Sequence, residues 1–186
     1  VLYAKILREK NSFKKELSIR KEIVDLEAAY SGKDHEYYFD ALNQLGISEI
    51  DNDNPLKANK ILNQLIKISK GSKPEELGYF YLNLATSYEV LGDKINQKKY
   101  LLKSLEILKD QYGENSKDAA YLYAQIGTYY FNASDFKKTE DYLFKALKIQ
   151  NKSNDHNTKE DLINTYQFLS GLYTRLSDFK KSEKYI

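Results

Sequence analysis

Apolar residues along this chain recur at steps of three and four, in runs of about four turns separated by short polar breaks. The stretch 74–112 shows the rule most plainly. Leu77, Phe80, Tyr81, Leu84, Tyr88 and Leu91 fall on one face of a helix. Leu91-Gly92-Asp93 then breaks the period. Glycine suits the left-handed residue that closes a helix, and aspartate can cap the next one. Tyr100, Leu101, Ser104, Leu105, Leu108 and Tyr112 mark the buried face of a second helix, which Gly113 ends. So tight a turn predicts two antiparallel helices in contact.

The same helix pair returns along the chain. Ala4, Gly46, Ala85, Gly127 and Ser170 occupy one small-residue slot, at successive spacings of 42, 39, 42 and 43 residues. Tyr88, Tyr130 and Tyr173 follow the slot by three residues, and Tyr81, Tyr123 and Tyr166 precede it by four. Asp93, Asp135 and Asp178 follow it by eight. In the unit upstream, Leu42, Leu45 and Gly46 belong to a first helix that closes at Asp51-Asn52-Asp53-Asn54. Pro55 then opens a second helix, where its missing N–H is harmless, and Ala58, Ile61, Leu62, Leu65 and Ile66 form the buried face.

A repeat of this length built from helix pairs predicts an all-α solenoid. We expect one array over 1–186, with full units at 36–73, 74–115 and 116–157 and partial units at 1–35 and 158–186. Residues 1–11 read as the tail of a first helix and 179–186 as the start of a second. Terminal repeats of a solenoid carry polar caps, and these ends do not, so the chain is expected to be a piece of a longer protein.

The order of residues in one unit is Tyr123, Ile126-Gly127, Tyr130, Ser134-Asp135-Phe136, Thr139 and Ala146-Leu147. It resembles the tetratricopeptide repeat, and the resemblance covers almost the whole chain. The usual unit of that family is 34 residues long. Units near 42 are similar to the longer repeats of kinesin light chains and of many bacterial regulatory proteins. The resemblance implies a right-handed superhelical stack of antiparallel helix pairs whose first helices line a concave groove. It also implies a binding module, serving as the sensing, regulatory or scaffold region of a larger signalling protein. Three residues depart from the family pattern: Glu49 stands where tyrosine is expected, Arg20 replaces an apolar residue, and Gln97 takes the usual alanine slot. Of these, Glu49 is expected to disturb local packing.

Groove-facing positions of the family include the one two residues before the small slot. Here it reads Gln44, Asn83, Gln125 and Phe168. A primary amide donates to a carbonyl and accepts from an N–H at once, so a ladder of amides can hold peptide backbone whatever its side chains. Each such bond contributes about 0.5–1.5 kcal/mol net. Tyr79, Tyr121, Thr86, Thr128 and Phe131 would form a second layer that selects among sequences. The opposing reading is that these amides only serve helix packing. Lys5, Arg8 and Arg175 also occupy groove-facing positions, but the family's carboxylate clamp of Lys and Asn in consecutive units is not reproduced. Lys14-Lys15, Lys137-Lys138 and Lys180-Lys181, with Glu16, Glu140 and Glu183 close behind, read as a solvated outer face.

Composition narrows the function further. The 29 basic and 27 acidic residues nearly cancel, so nucleic acid is not expected as a direct ligand. No apolar run is long enough to span a bilayer. There is no cysteine, hence no disulfide, thiolate metal site or cysteine nucleophile. His35 and His156 each fall in a polar link without an evident catalytic partner. Asp51-Asn52-Asp53-Asn54 lacks the glycine and the final glutamate of a calcium loop. No catalytic residue, metal or cofactor is expected. The partner is a protein or peptide segment; the alternative is a structural spacer or a homodimerisation module with no specific groove ligand.

Overall fold

The computed structural model describes residues 2–9, 12–69, 73–153 and 156–185. Ten helices and no strand occur among these residues. They fall into two compact units, Val1–Tyr100 and Leu101–Ile186.

Unit 1 contains α1 (Leu2–Glu9), α2 (Phe13–Tyr30), α3 (Glu36–Asp51), α4 (Pro55–Ile68), α5 (Pro74–Val90) and the start of α6 (Lys94–Tyr112). Helices α1 to α5 each pack on the next, and α3 also packs on α5, bringing two first helices together. Unit 2 contains the rest of α6, then α7 (Lys117–Asn132), α8 (Phe136–Gln150), α9 (His156–Arg175) and α10 (Phe179–Glu183). Helices α7 to α10 pack in sequence, and α7 also packs on α9. The odd-numbered helices are the first helices of the pairs.

The turns follow from local chemistry. One residue before each cap takes a left-handed backbone: Gly92 at φ 71°, Asp53 at 58°, Ser134 at 59° and Ser177 at 58°. Asp93, Asp135 and Asp178 then accept the backbone N–H three residues on, from Asn96 at 3.0 Å and from Lys138 and Lys181 at 3.2 Å. The same carboxylates also hold those side chains, at 2.7 Å to Asn96, 2.6 Å to Lys138 and 3.4 Å to Lys181. Pro55 stands in the first turn of α4, as its sequence position predicts.

Beyond the turn, the pairs α3–α4 and α7–α8 close where the first helix is smallest. A Cβ added to Gly46 would lie 2.7 Å from Leu62, and one added to Gly127 would lie 2.7 Å from Leu143. Both leucines are fully buried. Alongside this contact stands a set of tyrosines. Tyr100 stacks on both Tyr81 and Tyr88, with centroids 5.7 and 5.5 Å apart. Tyr142 meets Tyr123 and Tyr130 at 6.2 and 5.7 Å, and Tyr185 meets Tyr166 and Tyr173 at 5.9 and 5.8 Å. In each case two first-helix tyrosines seven residues apart clasp one tyrosine, carried by the second helix for Tyr100 and Tyr142 and just past its end for Tyr185. Their hydroxyls find carboxylates: Tyr123 donates to Glu114 at 3.0 Å, and Tyr173 donates to Glu140. Burial first, and the carboxylate second, push both phenols above the usual tyrosine range.

The α2–α3 contact is built differently. Glu16 is completely buried and takes the second-helix slot that holds Ala58, Thr139 and Ser182 elsewhere. It accepts from Arg20 at 3.0 Å and from Ser48 at 3.3 Å. Glu49, 2% exposed, reaches Lys21 at 3.5 Å, and its other oxygen has no partner. Arg8 binds Asp51 and lies 4.0 Å from Glu16. The clasp therefore gives way to an ionic cluster where Glu49 replaces tyrosine. The expectation of a solvated face at Glu16 is corrected in the same way, since Arg20 draws it inward. Glu140 is likewise tied to Tyr173. Tyr112 is also corrected: at the last position of α6 it is 48% exposed rather than buried.

One buried slot near the end of the second helix holds Leu108 in α6, Ser69 after α4 and Gln150 in α8. Neither polar atom of the Gln150 amide has a partner, although the residue is 2% exposed. A buried unpaired polar group costs about 1–3 kcal/mol. Replacing Gln150→Leu, as Leu108 already shows fits this slot, should raise the urea midpoint by a comparable free energy. A variant less stable than the parent would contradict the packing described.

Candidate binding face

The first helices keep one stripe open. Six residues before the small slot stand Asp40, Tyr79, Tyr121 and Asn164, all exposed. Two residues before it stand Gln44, Asn83, Gln125 and Phe168, all half-buried. One residue after it stand Ile47, Thr86, Thr128 and Gly171, none of them buried. These spacings of four and three residues place the set on a single helix face. By contrast, the residues just before the small slot on these four helices, Leu45, Leu84, Ile126 and Leu169, are all buried.

In unit 1 the stripe runs over α3 and α5. Asn83 does not stand alone: its Nδ2 donates to Oδ1 of Asn43 at 2.8 Å. Asn43 is 9% exposed, so this bond joins two first helices from a largely dry position. Gln44 makes no side-chain hydrogen bond within the described residues. Thr86 donates back to the Leu82 carbonyl at 3.2 Å, inside its own helix. Tyr79 is 36% exposed. Sequence reasoning missed Asn43. Its signal was a polar residue on the flank of α3 that meets α5, beside the buried Leu42.

In unit 2 the stripe runs over α7 and α9. Gln125 makes no side-chain hydrogen bond within the described residues. Tyr121 is 36% exposed, like Tyr79, and Thr128 is half-buried. Phe131 and Phe168 meet edge to face at 5.6 Å and pack against the core of this unit. Phe131 also lies against Gly171, where an added Cβ would sit 3.5 Å from its ring. Arg175 stacks 4.1 Å over Phe131 and donates to its carbonyl at 3.4 Å. Phe131 and Phe168 therefore join α7 to α9 while presenting one edge to the stripe.

The remaining candidates fall elsewhere. Arg8 is engaged in the ionic cluster with Asp51 and Glu16. The Lys5 and His156 side chains lie outside the described residues. His35 caps α3, its Nδ1 accepting from the Tyr37 N–H at 3.2 Å. Among the described residues no group of His, Asp and Glu is placed to hold a metal ion, and no helix is long and apolar enough to cross a membrane.

The two amide environments give a direct test. Asn83→Ala leaves the buried Asn43 amide unpaired and should cost about 1–3 kcal/mol. Gln44→Ala, which removes a side chain without a partner, should stay within about 0.5 kcal/mol of the parent. Equal urea midpoints for the two variants would mean that the Asn43–Asn83 bond contributes nothing.

No protein-family model and no curated protein sequence matches the chain. Solved structures do. BtubC (BKLC) from P. vanneervenii superposes with a TM-score of 0.85 at 21% identity, over 98% of this chain and 74% of that one. The nearly identical TPR-like repeats of a kinesin light chain from Podosopora anserina give 0.78 at 14% identity, over 98% of this chain and 88% of that one. The helix pairs, the small slot and the capped turns described above thus belong to the tetratricopeptide-like repeat fold, and that is the fold of this chain.

Proposed function

We propose that the chain captures an extended peptide segment of a partner protein along the open stripe of its first helices. In this reading it serves as the recognition region of a larger signalling or scaffold protein. The observation that carries it is the stripe itself. The position two residues before the small slot stays half-open on four first helices, and at Gln44 and Gln125 it holds an amide with no side-chain hydrogen bond among the described residues.

A half-buried amide without a partner is suited to a backbone that brings both an N–H and a carbonyl. Tyr79 and Tyr121 stand one turn before Asn83 and Gln125 and offer broad surface with few rotatable bonds, as recognition surfaces favour. Phe131, Phe168 and the stacked Arg175 add an aromatic and cationic edge in unit 2. Asn83 takes a smaller part than its slot suggests, since one of its donors is committed to Asn43. The tetratricopeptide-like fold is itself that of a protein-interaction module.

The experiment is a peptide-display selection on the purified chain, repeated with Gln44→Ala/Gln125→Ala. Loss of the amide contact in whichever unit holds the peptide should weaken the selected peptides by roughly two- to tenfold, at about 0.5–1.5 kcal/mol. Circular dichroism should show unchanged helicity. Equal capture by the double variant would remove the amides from the site. Failure to select any peptide, with self-association in sedimentation, would favour a dimerisation or spacer module.

A further inference from the structure

Unit 2 contains a cavity of about 250 Å³ where the first turns of α7, the end of α8 and the first turns of α9 meet. Its polar lining comes from Asn115, Lys117, Lys148, Lys152, Ser153 and Thr158. None of the stripe residues takes part, so the site stands apart from peptide capture.

Its chemistry is one-sided. Three lysines and, among the described residues, no carboxylate line the cavity. Elsewhere in this unit Lys109, Lys138 and Lys181 each hold an acidic side chain. Lys117, Lys148 and Lys152 form no ion pair with any described residue. The hydroxyls are arranged in the same sense. Ser153 donates to Oγ1 of Thr158 at 3.2 Å, and Thr158, only 6% exposed, is left with an O–H that has no acceptor among the described residues. An ammonium group only donates, and a hydroxyl that has already accepted a bond is left to donate. The described lining is therefore rich in donors and positive charge, with the Asn115 amide oxygen as its one side-chain acceptor not already committed to a neighbour.

A guest that satisfies it must be rich in acceptor oxygens and anionic. Cations converging on a concave surface concentrate their field there and attract such a guest. A phosphate group carries close to two negative charges and three strong acceptor oxygens, which matches several separate donors better than one carboxylate does. The volume lies just below the usual range for small-molecule pockets, which suits a compact ion and not a peptide.

We propose that this cavity binds a small phosphate-bearing ligand through Lys117, Lys148, Lys152 and Thr158. The test is a titration with inorganic pyrophosphate and with inorganic phosphate, followed by NMR shifts at constant ionic strength, with sodium chloride as the matched control. Pyrophosphate should bind in preference to chloride and shift the amides around 117–120, 148–153 and 158. Lys148→Gln/Lys152→Gln should weaken it at least tenfold, and Thr158→Val should weaken it several-fold with helicity unchanged. Wild-type shifts no larger than those from chloride would overturn the proposal. So would undiminished binding by the double lysine variant. Neither outcome bears on the peptide reading, because Gln44 and Gln125 are intact throughout.

Discussion

The close approach of the two helices at the small slot governs the rest of this structure. At Gly46 and Gly127 the second-helix leucine occupies the space a side chain would need. With that contact made, the register of the pair is fixed, and residues four before and three after the slot face the partner helix. Around Ala85, Gly127 and Ser170, tyrosines at those positions enclose a third tyrosine from the following segment. Offset aromatic contacts of this kind add about 0.5–1.5 kcal/mol beyond the area they bury. The open stripe is what remains once both inward faces of the first helix have been used.

The ionic cluster of unit 1 shows what happens when the pattern is changed. Glu16 and Arg20 replace a small residue and a leucine, and Glu49 replaces a tyrosine, yet α2 and α3 still pack. The acidic groups Glu16, Glu49 and Asp51 are matched by Arg8, Arg20 and Lys21. Burial raises the Asp51 carboxyl above its usual range, and the neighbouring Arg8 opposes that shift. Buried pairs of this kind add little net stability against an apolar alternative, but losing one member leaves a costly isolated charge. The cluster therefore fixes which groups can meet at α2–α3 more than it strengthens their contact.

Much of the fold was legible because its determinants are local. The spacing of Ala85, Gly127 and Ser170, the aspartate caps and Pro55 each act within a few residues, and their structural roles follow from sequence position. Glycine at 92 announced the left-handed turn; Ser134, Ser177 and Asp53 hold the same conformation without announcing it. What the sequence concealed depends on partners distant in the chain. Glu16 reads as a surface residue until Ser48, 32 residues on, turns out to share its pocket. Asn83 reads as a free amide until Asn43 appears on the neighbouring first helix. Tyr142 and Tyr185 gain their meaning only from tyrosines 12 and 19 residues earlier.

The account stands on the contact between the small slot and its leucine, and a double-mutant cycle at Gly127 and Leu143 measures it most directly. Gly127→Val should destabilise by about 1–3 kcal/mol through overpacking. Leu143→Ala should destabilise by about 2–5 kcal/mol through the cavity it leaves. If the two side chains share one space, the double variant should recover at least about 1 kcal/mol of the summed loss. Strictly additive losses would contradict the contact, and with it the register that opens the stripe.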